Sequence, residues 1–587
     1  MRRVALPLAR AGATVLPALL ALALLLPGLG AAPFDDPGEG QQAEIAREAW
    51  LSGDWLTLRL NGVRYFDKPP LLYATAATAF SIWGLSEWAA RLGPLAGAVL
   101  AVTATALLGV RLLGPAGGLA AGIALSSCAL FAAFGRYVRP ETLFVAAIQW
   151  GVTGFALAAV AADEPARRRW LLLGCGALGL AALAKDPLGL VGPLAAVALA
   201  LALAGRLRWL AARLPVGGVI LLIGLGLGWY VLAAVANAGF LWYTVVDNHL
   251  LNAARLRHFP DEDVPLAAAE FVLIAVLGAF PWAIAAGLMV ARLVRRRAWR
   301  DPAETPWVAL ALWSVGTLVV FAIVPFRLPY YGLPMYPALA LLAARWWMEA
   351  RSPGRAWLGV HLAAFAALAL ACGVAALGDG HAFSRVVMGA TDVATRKGEA
   401  ARAMPPAVPW DALGGLVGRA ALIFATGAAG LAIATVRGAP RLGLAVTLAA
   451  MTASVPLVEA ALALVASGRA VNVMAAEVAR RAGPGHLVLH EGPIEQSGAL
   501  ELYSGRRPVL VEATRSVLGF GARFPDAAES FWGAERFRRE WLSDRPLLLV
   551  TPRSPERSVI AAMPADRRQL LLAHNGRRLY GNGATAR

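Results

Sequence analysis

LLYATAATAFSIW, residues 71–83, decides how the chain is threaded. The stretch is apolar enough to enter a bilayer. A helix, however, needs about 20 residues to cross a hydrocarbon core of roughly 30 Å. Residues 71–83 therefore read as an interfacial or re-entrant helix. Around them, apolar runs occupy about 11–32, 92–111, 116–134, 141–161, 171–184, 187–204, 215–237, 266–291, 306–324, 331–349, 356–377, 412–436 and 442–466. The reading is thus a polytopic α-helical membrane protein with about 13 transmembrane helices. Two of the runs, 171–184 and 187–204, are short and divided only by Lys185, Asp186 and Pro187, which suggests a tight hairpin or a broken helix.

Composition agrees. Of 587 residues, 58% are hydrophobic and only 16% charged, more apolar side chain than a soluble core of this length can use. The net charge of +17 does not indicate nucleic acid, because Lys and Arg punctuate the apolar runs instead of gathering on a polar surface. Cys128, Cys175 and Cys372 lie inside apolar segments without metal-ligand spacing and read as core residues. Residues 1–30 resemble a signal peptide, but Gly-Leu-Gly-Ala-Ala at 28–32 is a weak cleavage site, so a retained first helix is expected.

With 71–83 non-crossing, Arg167–Arg169, Arg206/Arg208/Arg213, Arg292–Arg300, Arg351/Arg355 and Arg437/Arg441 share a side with Arg2 and Arg3. The positive-inside rule makes that side cytoplasmic. The loop 33–91, the segments 135–140 and 238–265 and the turn 325–331 then lie outside, and chemistry is expected there. The amino terminus is then cytoplasmic and the C-terminal tail external.

Residues 1–467 form the membrane module. From 468 to 587 the composition is that of a soluble domain, with a helical pattern near 470–482 and short apolar runs at 486–490, 508–512, 546–551 and 569–573. Alternating strands and helices predict a small extracytoplasmic α/β domain. It has no glycine-rich nucleotide cradle, which argues against a nucleotide-sugar site.

The first external loop reads DDPGEGQQAEIAREAWLSGDWLTLRLNGVRYFDKPPLLY, residues 35–73. AEIAREAW has a helical period, with Ala43, Ile45, Ala46 and Trp50 forming an apolar face expected to lie on the bilayer. Asp36 and Glu39 just before it are either general bases that take a proton from an acceptor hydroxyl or amine, or solvated acids at a helix amino terminus. Lys68 is either a phosphate clamp or a snorkelling lysine.

The blocks GEGQQAEIARE, SGDW, NGVRYFDKPPLLY and EWAARL resemble the first extracytoplasmic loop of the family containing protein O-mannosyltransferases and the bacterial lipid A aminoarabinose transferase. The resemblance continues in GRYVRPETLF (135–144), WYTVVDNHLLNAARLRHFPDEDVP (242–265), FPW (280–282) and FRLPYYGLPMYPALALL (326–342). It covers about residues 30–345 and is weak beyond. It implies a GT-C fold and transfer of a sugar from a polyprenyl-phosphate donor to a lipid, protein or glycan acceptor, beside membrane lipids. Members commonly carry an Asp-Glu pair where this chain has Gly38-Glu39, so the base is open between Asp36 and Glu39, with Asp36 preferred because an aspartate before Pro37 can be held in a turn close to the sugar. Asp186 likewise replaces a glycine, and Lys185/Asp186 reads as a self-neutralising pair.

By the same resemblance, Lys68, Arg255 and Arg327 hold the donor phosphate during an in-line displacement at the anomeric carbon. Glu141 orients the acceptor or helps bind a divalent cation, the metal being unknown and no cofactor certain. Tyr65, Arg136, His249, His258 and Tyr330 are substrate-binding candidates, although Tyr330 and Tyr331 also suit an interfacial aromatic belt, the favoured reading. The rival functions are a lipid-linked-sugar flippase or transporter, which would show inverted repeats and a midplane site, and a non-catalytic scaffold.

Overall fold

The computed structural model describes residues 2–260, 265–349, 355–378, 380, 382, 410–513 and 515–583. The first eleven helices are α1 (Arg2–Leu25), α2 (Gly40–Ser52), α3 (Leu71–Trp83), α4 (Glu87–Leu113), α5 (Pro115–Ser126), α6 (Ala129–Phe134), α7 (Glu141–Ala159), α8 (Glu164–Ala184), α9 (Leu188–Leu203), α10 (Leu207–Arg213) and α11 (Val216–Ala236). Further membrane helices span Ala268–Gly278, Trp282–Arg295, Thr305–Ile323, Tyr336–Glu349, Arg355–Leu377, Trp410–Val436 and Pro440–Arg469.

Each apolar run read from the sequence falls on helix, and fewer than the thirteen expected crossings meet the length of a full span. Among the described residues, seven helices are long and apolar enough to cross a bilayer, or eight if one bent pair is a single span. Apolar content does not ensure continuity. The run 116–134 breaks between α5 and α6, and Ala268–Gly278 meets Trp282–Arg295 at 103° around Pro281. The protein is a polytopic helical membrane protein.

Local chemistry sets the ends of these helices. Ser86 caps α4, its side chain accepting from the Ala89 amide at 3.2 Å, and Asp163 caps α8 through the Ala166 amide at 2.7 Å. α2 stops at Gly53, in the left-handed region at φ 70°. The following hairpin pairs β1 (Arg59–Leu60) with β2 (Val63–Arg64) through Asn61 and Gly62, both at positive φ as a two-residue turn requires.

Beyond Arg469 stands the mixed-sheet domain. Its helix Asn472–Arg481 and strands β3 (Leu487–Glu491), β4 (Val509–Val511), β6 (Leu547–Thr551) and β7 (Gln569–His574) lie where the sequence patterns placed a helix and strands. With β5 (Phe531–Trp532) and β8 (Arg577–Gly581) the order is β5-β4-β3-β6-β8-β7. The first four strands are parallel, and β8 and β7 are antiparallel. β6 is buried throughout, as a strand covered on both faces should be.

Candidate functional site

The segments 33–91, 135–140, 238–265 and 325–331 meet at one end of the helix bundle. The Val138 amide donates to Glu39 at 2.9 Å, Arg139 donates to the Tyr330 hydroxyl at 2.7 Å, and Tyr243 donates to Asp67. The C-terminal domain packs on the same end. Arg47 pairs with Glu501 at 2.9 Å, and Arg64 with Asp526 at 3.0 Å. α2 is consequently buried under this domain and α3, and does not lie on the bilayer as its apolar face suggested.

Three acids of the first loop have three different environments. Glu39 is almost fully buried; it takes both arms of Arg91 at 2.9 and 2.6 Å, the Val138 amide, and the Asp35 amide at 3.2 Å. Asp36 is equally buried and accepts from the Val471 and Ala499 amides, each at 3.3 Å, which makes it a strut beneath the C-terminal domain. Burial pushes its carboxyl up to about 7, against the opposing pull of the nearby Arg577 guanidinium. Asp35 alone of the first loop's aspartates lines the adjoining cavity of about 300 Å³. Its Oδ2 accepts from the Tyr137 hydroxyl at 2.6 Å, and its Oδ1 lies 3.4 Å from Arg469 Nε. A Cβ at Gly38 would run into that Tyr137 hydroxyl.

Arg136, Arg139, Tyr330, Glu459 and Arg469 also line this cavity, with an apolar wall from α6 and the helix Pro440–Arg469. Arg136 is partly committed, donating to the Leu25 and Pro27 carbonyls at the end of α1 and pairing with Glu459 at 3.3 Å. Tyr330 forms the boundary with a second, cationic region. Lys185 Nζ stands 5.0 Å from the Tyr330 ring, 4.9 Å from that of Tyr331 and 3.2 Å from Glu141. Tyr330 is thus buried beneath a cation, not displayed in an interfacial belt. Glu141 is buried too, and its Oε2 has no hydrogen-bond partner among the described residues.

Lys185 and Asp186 do not simply neutralise each other, as their adjacency suggested. Lys185 faces Glu141, while Asp186 pairs with His249 at 2.9 Å. That bond raises the His249 imidazole above its ordinary 6.5. Lys68 lies within electrostatic reach of both Lys185 and His249, and its ammonium donates to its neighbour's carbonyl, Asp67 O, at 3.1 Å. Tyr65 is buried against Tyr73, whose hydroxyl donates to Gln42 at 2.7 Å.

His249 sits on a π-helix, Trp242–Leu251. Its i to i+5 spacing lets Tyr243 and Asn248 both reach Asp67, and turns His249 Nδ1 onto the Thr244 carbonyl at 2.6 Å. Arg255 follows, exposed at φ 60°; its backbone amide donates to the Asn252 carbonyl at 3.1 Å, and its guanidinium makes no hydrogen bond or ion pair among the described residues. His258 is largely exposed and borders Asp247. Arg327 does not join the group. Its guanidinium donates to the carbonyls of Leu266 and Ala322 at 2.8 and 2.6 Å, closing the end of Thr305–Ile323. Sequence reasoning passed over Arg91, Tyr137 and Arg139, though all sit in or beside the quoted blocks.

For a cation, the described residues offer one acidic group. Glu44, Glu48 and Glu501 bring carboxylate oxygens within 4.8 Å of one another. Arg47 and Arg507 already balance it, at 2.6 Å from Glu44 and 3.0 Å from Glu501.

Residues 67–245 match the family described as dolichyl-phosphate-mannose-protein mannosyltransferase. The undecaprenyl phosphate-alpha-4-amino-4-deoxy-L-arabinose arabinosyl transferase of Pseudomonas aeruginosa strain UCBPP-PA14 is 29% identical over 348 residues, 57% of this chain and 61% of that one. The protein of the same description from Erwinia tasmaniensis is 27% identical over 316 residues, 52% and 54% of the two chains. The chain thus spans about three fifths or less of these relatives' lengths. The crystal structure of ArnT from Cupriavidus metallidurans bound to undecaprenyl phosphate superposes with a TM-score of 0.78 and 22% identity, over 97% of both chains. The fold is that of ArnT. The apo form of ArnT agrees, with a TM-score of 0.77 over 98% of both chains. The resemblance to the mannosyltransferase and aminoarabinose-transferase family, read from the loop blocks, is borne out by the family match over residues 67–245 and by these relatives, and the likeness of fold to ArnT covers 97% of the chain.

Proposed function

We propose that this protein is a polyprenyl-phosphate-dependent glycosyltransferase of the extracytoplasmic face of a bacterial inner membrane. In this reading it moves an aminopentose such as 4-amino-4-deoxy-L-arabinose from undecaprenyl phosphate to a lipid acceptor of the lipid A class. Residues 1–467 are the catalytic module and 468–587 the domain resting on it. The observation that carries the reading is the grouping of Lys185 and His249 within electrostatic reach of Lys68, with Lys185 over the ring of Tyr330, which together with Arg139 lines a cavity that has charged residues and an apolar wall. Two amphiphiles can enter from different sides and place their polar ends together.

In this mechanism Lys68, His249 and Lys185 receive the donor phosphate, and Arg255 approaches from its loop. As the anomeric carbon–oxygen bond breaks, the departing phosphate gains charge that these fixed cations stabilise. The acceptor oxygen attacks from the cavity. Asp35, held by Tyr137 and Arg469, accepts a proton where the acceptor is a hydroxyl, or orients the acceptor's amines where it is a phosphate. Asp36 and Glu39 hold the loop and leave this task to Asp35. Glu141 fixes Lys185.

The test is donor turnover. Purified protein in lipid nanodiscs is given undecaprenyl phosphate-linked 4-amino-4-deoxy-L-arabinose with and without lipid A, and undecaprenyl phosphate and modified lipid A are followed by mass spectrometry. Acceptor-dependent release supports the assignment; no release with any envelope acceptor, alongside movement of the donor between leaflets, would establish a flippase instead.

A further inference from the structure

The strongest feature outside the cleft itself is a junction of three segments distant in sequence. Phe520, from the C-terminal domain, stacks on Tyr243 of the π-helix with centroids 4.6 Å apart and planes 11° from parallel. Phe520 also meets Phe66 edge-on at 5.4 Å, and Phe66 directly precedes Asp67 and Lys68. Its loop is fitted closely to the hairpin, since a Cβ at Gly521 would collide with the Arg64 carbonyl. Phe524 supports the same join under the Arg64 guanidinium, 4.3 Å from its ring centroid. Apart from its contacts with the domain's own loop, Phe520 faces the two segments that carry the donor-side residues.

The arrangement has an electrostatic consequence. Asp67 is the carboxylate next to Lys68 in sequence, and a free carboxylate there would compete with a substrate phosphate for the ammonium. Tyr243 and Asn248 both donate to Asp67 Oδ1, and no carboxylate lies within ion-pair distance of Lys68 among the described residues. The ring that carries this hydroxyl is stacked on Phe520, with Phe66 and Phe259 edge-on to it.

We infer that the C-terminal domain is part of the donor site, with Phe520 as a positioning residue that holds Tyr243 on Asp67 and so keeps Lys68 available to an anionic phosphate. The inference rests on the transferase reading for its kinetic consequence but not for its binding consequence. Phe520 acts through Tyr243 and does not touch the reacting atoms. Without it, the π-helix loosens, Asp67 turns to Lys68, and phosphate binding weakens while the chemistry of bound donor is little affected.

The experiment uses the full chain in nanodiscs and undecaprenyl phosphate itself as the probe. Phe520→Ala should weaken undecaprenyl phosphate binding roughly three- to tenfold, the range expected for one lost aromatic contact. It should also raise the amide hydrogen-exchange rate of residues 242–256. With sugar-linked donor, the loss should fall on KM more than on kcat. Phe520→Tyr, which keeps the ring, should retain affinity. Phe520→Ala combined with Asp67→Asn should recover affinity, because the competing charge is gone; a purely structural role for Phe520 would leave that combination as weak as Phe520→Ala. Unchanged exchange and affinity in Phe520→Ala, or failure of Asp67→Asn to restore binding, overturns the inference. If wild-type protein binds undecaprenyl phosphate but transfers no sugar, the transferase reading fails separately, and the positioning role is still decided by binding and exchange.

Discussion

The environment of Glu39 predicts that its replacement breaks the structure before it touches the chemistry. Its carboxylate receives two N–H groups from Arg91 and two backbone amides, and Arg91 also donates to the Leu29, Ala32 and Pro33 carbonyls. Both side chains are nearly inaccessible, 2% for Glu39 and 5% for Arg91. Glu39→Gln keeps the size but removes the charge and turns an amide donor toward donors. Removing one member of a buried pair typically costs about 3–5 kcal/mol, because the other charge is left uncompensated. Thermal unfolding in detergent, followed by tryptophan emission, should therefore show a clear fall in Tm and lower folded yield. The coupling can be measured with Arg91→Gln and the double variant. If the pair acts as a unit, the double variant should be little worse than Arg91→Gln, and activity per folded molecule should survive in Glu39→Gln. A Glu39→Gln protein with wild-type Tm and undecaprenyl phosphate affinity but no transfer would refute this reasoning and make Glu39 the base.

Lys68→Ala should lower transfer by about 10²–10³, as loss of a fixed charge donor does, with Lys68→Arg recovering part of it in a release assay. The folded-state pKa of His249 is raised by Asp186, so its cation and its contribution to donor binding are fully present below 6.5 and are lost as pH rises through the raised value; undecaprenyl phosphate titrations from pH 5 to 9 should show this limb, and His249→Gln should flatten it. Asp36 shifts in the same direction through a different cause, burial: its folded pKa of about 7 stands above the ordinary 3.8, so the folded state holds its proton more tightly. Stability should decline as pH rises from about 4 to about 7, and Asp36→Asn should remove that slope in thermal melts while keeping transfer. Asp35→Asn should lose transfer to a hydroxyl acceptor while retaining undecaprenyl phosphate binding, and full activity would exclude it as the base.

These predictions differ from a reading of the sequence alone for a physical reason. Apolar length and strand periodicity are local properties, so the helices, including the short α3, and the β3, β4, β6 and β7 strands were all legible in short windows. The number of crossings was less so, because a break such as the 103° bend around Pro281 changes a span without changing its composition. The choice among the acids of DDPGE was not local at all. Asp36 is buried by amides 435 and 463 residues away, and Glu39 by an arginine 52 residues away. Gly38 carries the same lesson, since the space a side chain would need is filled by Tyr137 from the next external loop, which brings its hydroxyl to Asp35. A residue lost at one position in a motif can thus be answered by a side chain from another segment and a carboxylate three positions upstream. The unit that sets the environment of these acids is the packed junction of loops, helix ends and C-terminal domain. Substitutions in that domain should therefore change binding at the site even though the loop motif is untouched.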